Sequence, residues 1–565
     1  MLIELQRARE SFRSNTTQRN GNLDHPNNTY SNVYSLKTFH MNHFVYFILL
    51  LSFQKAFTQI GSISGQFCIG STESEFPIKE AFMDNGNRIV LLVSNSPAIA
   101  DKTENCRGDY DFWVLCINQN DQIVWQKTIG GNDFDNPSGL LITEDQSIYI
   151  CGATLSTPSF EQTNDLFGSW DAWLIKMNNT GDIIWNKNYG GTASDGFNDL
   201  IELPSGNIFI FGTSASDVSG NKTSSNYGAN DLWSLKLNTN GTILNDWSIG
   251  GAEFEVRPYI IQTAPNRIKL VANSSSDVSG LKTEPSFGYS DIWVLDLDTN
   301  CNILQQKTIG GSDLDTPTDL LWSHDGKLLI LAESWSNQSG LKTENAYGLM
   351  DTWILKLDDD LTIMQQKTVG SDLQDYASQF IEWPNGNLCV LATSDSNPNQ
   401  YKSAPNMGGT DIWMYALDPN FNLLADKTIG TMLDETSTSL TLSPNLSDIQ
   451  VLAASSGGVS FYKTCPSNGS YDFWGLTLNS TLQINDIQTN KTTKVYPNPS
   501  QNLITIEHTA ADQISELLLL DYSGKLIKEF DPKNSILNLT DLSPGIYFLQ
   551  FSTEQGNFCE KIRLE

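Results

Sequence analysis

Histidine is nearly absent from this chain, with five among 565 residues, and three of those (His25, His40 and His43) precede residue 60. Only His324 and His508 remain for the folded part, on different candidate domains. Metal sites built on several histidines, and triads or dyads built on one, are therefore close to excluded. Positive charge is scarce as well: 34 Lys plus Arg face 65 Asp plus Glu, a formal charge of −31. The first 59 residues hold 6 basic and 3 acidic groups, so the remainder carries 28 − 62 = −34. Such a surface repels phosphate backbones and anionic lipid, which argues against nucleic acid as a partner. No CxxC pair, GxSxG elbow, P-loop or dinucleotide fingerprint occurs.

Long apolar runs are also missing. Phe44 to Phe53 (FVYFILLLSF) is ten residues long, too short to span a bilayer but right for the core of a secretory signal peptide. Ala56-Phe57-Thr58 follows, so cleavage is expected near Thr58–Gln59, with Met41 a plausible true start and residues 1–59 a leader. No other segment suits a membrane helix, and none is expected in the mature chain. All eight cysteines lie beyond the leader. They read as small buried hydrophobes, with disulfides permitted by an oxidising destination.

What the sequence does contain is a period. Asp-x-Trp recurs at Asp111, Asp171, Asp231, Asp291, Asp351, Asp411 and Asp472, five intervals being 60 residues and the last 61. Gly70, Gly130, Gly190, Gly250, Gly310, Gly370 and Gly430 are each 60 apart. Within one unit, residues 197–203, 207–213, 232–237 and 243–249 read as four short strands with turn punctuation and no helical period. A polar loop of roughly seventeen residues separates the second from the third, long enough to be a candidate functional loop. Four antiparallel strands per unit, seven times over, predict an all-β seven-bladed β-propeller over residues 60–480. Gln66 to Gly70 matches the fourth strand of a unit yet precedes the first complete one, so it is expected to complete the last blade.

One column is uniformly acidic: Glu75, Asp135, Asp195, Glu255, Asp315, Asp375 and Glu435. Seven carboxylates around a channel mouth would raise one another's pKa and need neutralising. Two lysine columns offer that charge. One is Lys127, Lys187, Lys307, Lys367 and Lys427 on the fourth strand; the other is the Lys-Thr pair at Lys102, Lys222, Lys282, Lys342 and Lys463, with Lys402-Ser403 as a variant. The column reads either as hydrogen bonding and ion pairing between blades or as a cation site, for which calcium suits oxygen ligands. The repeated Trp reads as core between blades and the Asp before it as a turn anchor.

Departures from the repeat are the better functional bait. Position 333 is Glu where other blades carry Val, Ala, Thr or Asn, Trp335 lies two residues on, and Trp170, Tyr289 and Tyr401 decorate the long loops. This aromatic and acidic set is the candidate ligand site, beside the alternative of ordinary loop variation. Paired carboxylates for glycoside cleavage are present in number, but no single pair stands out from the repeated background. The expected role is a binding scaffold for a glycan or a protein. The alternatives are a carbohydrate-active hydrolase or lyase and a structural surface component. Ring closure would bring the loops of Cys106 and Cys465 together, predicting a disulfide between them.

After Thr481 the period ends, and residues 481–494 read as a linker. Short strands with turn signals over residues 495–565 predict a small β-sandwich. Tyr496-Pro497-Asn498-Pro499, the hairpin from Leu519 to Glu529, Leu542-Ser543-Pro544-Gly545-Ile546-Tyr547 and the closing Lys561 to Leu564 resemble the type A C-terminal sorting domain of Bacteroidetes type IX secretion. The resemblance implies export by that machinery, removal of the domain, and a cargo on the cell surface or released. The repeats, as in Asp171 to Gly191, are similar to propeller cargoes of the same group. Kelch-type propellers are more distant, and their copper enzymes use histidine ligands that this chain lacks.

Overall fold

The computed structural model describes residues 60–444 and 448–479, and in the tail residues 494–496, 500, 503–507, 514–521, 526–543, 545–553 and 556–564. The leader with its cleavage site and Met41, nearly all of the linker, and Pro497, Asn498, Pro499 and Pro544 lie outside the described residues. Every element described is a β-strand.

Between residues 60 and 479 the strands form four-stranded antiparallel sheets, one per 60-residue unit. The sheets are numbered 1 to 7 here, beginning at Glu75, Asp135, Asp195, Glu255, Asp315, Asp375 and Glu435. Sheet 3 is representative, with strands Asp195–Glu202, Ile208–Ser214, Asp231–Leu237 and Ile243–Ile249, within two residues of the sequence reading. Its second and third strands, IFIFGTS and DLWSLKL, are buried almost throughout, because both faces of the sheet meet a neighbour. Sheet 7 takes its fourth strand from the N-terminal side: Ile63–Ile69 pairs antiparallel with Asp472–Asn479.

The first strands of consecutive sheets lie against one another, and that of sheet 7 lies against that of sheet 1. Each first strand carries a register shift at the same place, as between Pro77 and Lys79 or Phe197 and Asp199, so the bulge is part of the repeat. The core sits between sheets. Trp233 is fully buried and stacks on Phe197 at 5.8 Å, beside Tyr149, Cys151 and Leu174 of the preceding sheet.

The disulfide differs from expectation. Cys465 bonds to Cys68, with their Cα atoms 5.9 Å apart, and Cys106 is free. The cause is register. Cys465 lies two residues beyond Lys463, whereas Cys106 lies four beyond Lys102, and its thiol donates to the Ser94 carbonyl at 2.9 Å. The loop position equivalent to Cys465 is Glu104, Glu284 or Glu344 in other sheets. There the carboxylate accepts from the N–H of Thr128 (3.1 Å), Thr308 (2.7 Å) or Thr368 (2.7 Å) on the fourth strand. Cys68 occupies that Thr position, so a covalent bond replaces a hydrogen bond of the repeat.

The tail has a three-stranded sheet (Lys494–Tyr496, Leu503–Glu507, Ile536–Asn538) and a four-stranded one (Ile514–Asp521, Leu526–Phe530, Gly545–Thr553, Gly556–Leu564). Ile504 and Leu537 from the first and Leu517, Leu549 and Ile562 from the second share one core, as a small sandwich requires. Tyr496 is exposed and Gly545 opens a strand.

Candidate functional site

The acidic column is buried in every sheet. Each carboxylate accepts from the backbone N–H four residues before it: Glu75 from Ser71 (3.0 Å), Asp135 from Gly131 (2.7 Å), Asp195 from Gly191 (2.7 Å) and Glu255 from Gly251 (2.8 Å). Asp315 (2.6 Å), Asp375 (2.6 Å) and Glu435 (2.7 Å) repeat the bond with Gly311, Ser371 and Thr431. Serine hydroxyls of the second strand and its loop add to these bonds, as Ser216 does for Asp195 Oδ2 at 2.8 Å, while Oδ1 of Asp135, Asp195, Asp315 and Asp375 has no hydrogen-bond partner. These groups therefore pin the connection between sheets and do not stand open at a mouth.

Each lies close to the Asp of the preceding sheet's Asp-x-Trp, with a glycine between them. A β-carbon on Gly130 would fall 2.0 Å from Asp111 Oδ1 and 2.9 Å from Asp135 Oδ2. Asp111 Oδ1 has no hydrogen-bond donor, and the same holds for Asp231, Asp291, Asp351 and Asp411. The glycine Cα–H is left as a weak donor, which explains why no side chain is found there. Burial raises carboxyls of these pairs, bringing Asp135 to about 7 and Asp171, Asp231 and Asp375 to about 6. The Lys-Thr lysines are the nearby cations. Lys282 donates to Ser274 Oγ (3.0 Å) and the Ser276 carbonyl (2.6 Å), and Lys102 lies 5.0 Å over the Trp113 ring. Burial lowers the pKa of both lysines. In sheet 2 the lysine is Gln162, whose amide donates to the equivalent Ser156 carbonyl at 3.1 Å. On the fourth strand, Lys307 and Lys367 instead pair with the loop acids Glu284 and Glu344.

Among the described residues no three His, Cys, Asp or Glu side chains gather as a metal group. Because backbone N–H groups already hold the column, millimolar calcium or EDTA is expected to move the thermal midpoint by less than about 1 °C. A calcium-dependent rise of several degrees in a melting scan would contradict this reading.

The inner strands differ from one sheet to the next where they bulge. Lys79 reaches past sheet 2 to Asp199 of sheet 3 at 3.0 Å. Asp199 accepts from the Ile260 N–H (3.2 Å), and Asp319 accepts from the Phe380 N–H (3.1 Å), tying each sheet to the next. Burial pushes Asp319 up to about 7. Arg257 is exposed and holds φ at +55°, a left-handed backbone that the Pro77, Pro137 and Pro317 at equivalent positions cannot adopt. Glu333 lies in the field of Arg257, yet burial still carries its carboxyl to about 7.

The aromatic candidates do not form one platform. The backbone N–H of Trp335 (37% exposed) donates to the Leu314 carbonyl (2.9 Å), and Ser290, beside Tyr289 (71% exposed), bridges the same Leu314. These two segments therefore meet at Leu314. Trp170 packs instead on Phe134 at 5.7 Å, and Tyr401 on Tyr347 at 5.0 Å with a 3.2 Å hydroxyl contact. Sequence reasoning missed the exposed apolar residues Phe254, Leu314, Leu349, Leu373, Met432 and Leu433, all at the loop ends of sheets 4 to 7. The 60-residue column Ser74, Phe134, Ser194, Phe254, Leu314, Gln374, Asp434 held part of that signal.

The described sheets define an all-β protein of repeated four-stranded units with a separate small sandwich at the C-terminal end. Residues 494–565 match the family model described as the secretion system C-terminal sorting domain. That domain marks proteins exported by type IX secretion, so the chain is sent to the cell surface or exterior. No curated protein matches it. Solved structures similar to it include a Dyadobacter fermentans protein of unknown function (10% identity, 74% of this chain and 98% of that one, TM-score 0.38). A Bacteroides caccae protein of unknown function is similar at 10% identity over 63% of this chain and 94% of that one, TM-score 0.31. Hydrazine synthase of Kuenenia stuttgartiensis is similar at 12% identity over 69% and 96%, TM-score 0.37. Likenesses this distant carry no functional argument.

Proposed function

We propose that the seven sheets close into a seven-bladed β-propeller, and that the exported protein is a binding scaffold whose long-loop face receives a protein partner. Closure is supported by the pairing of Ile63–Ile69 with Asp472–Asn479 and by the contact of the first strands of sheets 7 and 1. The observation that carries the binding reading is the concentration of exposed apolar side chains at the loop ends of sheets 4 to 7. Phe254 (52% exposed), Leu349 (53%) and their neighbours give a surface that water-facing loops do not need. Aliphatic Leu314, Leu349, Leu373, Met432 and Leu433 stand among aromatic residues such as Phe254 and Tyr289, and such a mixture suits a protein contact better than a stack on sugar rings alone. Tyr289, Trp335 and Glu333 support the glycan as a second reading.

A photo-crosslinking residue placed at Leu349 in cells that secrete the protein is expected to capture one surface protein, while the same residue at Asn85, at the opposite ends of the strands, captures none. Equal capture from both positions would count against the loop face. Selective hits on a glycan array that vanish with Trp335→Ala would replace the protein partner with a sugar, and hydrolysis of those sugars would favour the enzyme.

A further inference from the structure

Sheet 1 breaks the repeat where the other six keep an apolar core. Glu80 corresponds to Leu140, Leu200, Ile260, Leu320, Phe380 and Leu440, and Arg88 to Ile148, Ile208, Ile268, Leu328, Leu388 and Ile449. Both charged residues are buried at the junction of sheets 1 and 7, the Arg88 side chain being 5% exposed. Its guanidinium donates to Glu80 (3.4 Å), to Gln450 Oε1 of sheet 7 (3.1 Å) and to Asp121 Oδ1 (2.5 Å). Thr441 of sheet 7 donates to the other Glu80 oxygen, and Thr477 donates to Gln450 Oε1 at 3.0 Å. Replacing an apolar contact by a buried ion network gains little stability in itself. Sheet 4 also buries an ion pair, Lys269 with Asp296 at 3.0 Å, but at other positions; charge at the Glu80 and Arg88 positions is confined to sheet 1 and calls for a use.

At that junction, at the strand ends away from the long loops, lies a cavity of about 530 Å³. Arg88, Gln119, Asp121, Gln450, Thr477 and Asn479 line it, with Phe82 as an apolar wall. The volume falls within the range of small-molecule sites. The free hydrogen-bonding atoms are mixed. Asp121 is engaged through Oδ1 and keeps Oδ2; Gln450 is engaged through its carbonyl and keeps its amide donor. Gln119 and Asn479 use only their amide nitrogens, in long bonds of 3.4 Å to Asn85 and Ser62, and keep their carbonyls. Arg88 is committed to two carboxylates, so no cation is left for an anionic ligand. Donors interleaved with acceptors around one apolar wall suit a neutral ligand bearing several hydroxyls.

We infer that this cavity binds a glycosyl unit, at a site separate from the long-loop face. The test uses the secreted chain and a panel of glucose, galactose, mannose and N-acetylglucosamine, read by saturation-transfer NMR and titration. At least one sugar is expected to bind with a Kd below about 10 mM. Gln119→Ala and Asn479→Ala, both on the protein surface, are each expected to weaken that sugar at least tenfold without moving the melting midpoint. Trp335→Ala, on the other face, is expected to leave it unchanged, so failure of the loop-face reading would not disturb this one. Absence of binding across the panel, or binding indifferent to both cavity variants, would overturn the inference and leave the network as a device of the sheet 7 to sheet 1 junction.

Discussion

Breaking the Cys68–Cys465 bond is expected to cost this protein more stability than the loss of any hydrogen bond it replaces. The two cysteines are 397 residues apart, and a chain-entropy account of so long a loop gives about 6 kcal/mol, above the ~2–5 kcal/mol that native disulfides commonly supply. In other sheets the same position holds a single Glu-to-backbone bond, of the order of ~1–3 kcal/mol. Cys68→Ser, or reduction of the purified protein, should lower the melting midpoint by roughly 5–10 °C. Exposure should start with the strand Ile63–Ile69, whose amides would exchange first. Cys106→Ser should change little, since a serine hydroxyl can still donate to the Ser94 carbonyl. A midpoint unmoved by reductant would mean that strand pairing alone holds the two ends of the repeat region together.

The same bond shows what the sequence could and could not disclose. The repeated sheets, their strands to within two residues and the borrowed fourth strand are all legible, because a 60-residue period repeats each signal seven times. The disulfide was misassigned because Cys106 and Cys465 share a loop; aligning on Lys102 and Lys463 instead puts Cys465 opposite Glu104 and brings Cys68 into play. The acidic column was visible as a column, but its direction was not: that each carboxyl turns back to an amide four residues earlier depends on the tight glycine turn, which spacing alone does not fix. Uniform columns drew attention away from single breaks. Glu80 and Arg88 stood in plain sight among six Leu, Ile or Phe and six Leu or Ile, and only burial revealed how unusual they are.

Those buried carboxyls should also make the protein more stable in mild acid than in mild base. Asp135, Asp319, Glu333 and Glu435 are raised by burial to about 7, and Asp171, Asp231 and Asp375 to about 6. In an unfolded chain such groups titrate near 4. Between pH 4 and 7 the folded state thus binds more protons than the unfolded state, and stability falls as pH rises through that window. The contribution is complete below pH 4 and gone above about pH 7. The melting midpoint at pH 5 should exceed that at pH 8 by several degrees. Repulsion among the −34 formal charges beyond residue 59 (28 − 62 = −34) pushes in the same direction, but molar salt screens it and leaves the buried share. Asp135→Asn separates the two further. Sheet 2 has Gln162 where other sheets have a lysine, so Asp135 has no lysine of its own sheet, and Lys102 beside Asp111 is the cation of the pair. An asparagine can still accept from the Gly131 N–H through the oxygen that faces Asp111, and it removes one of the two charges of the pair. The variant should match the native protein at pH 5, surpass it at pH 8 and show a shallower slope in high salt. Equal destabilisation at both values would mean that Asp135 is ionised in the folded protein, and the buried carboxyls would not account for the pH slope.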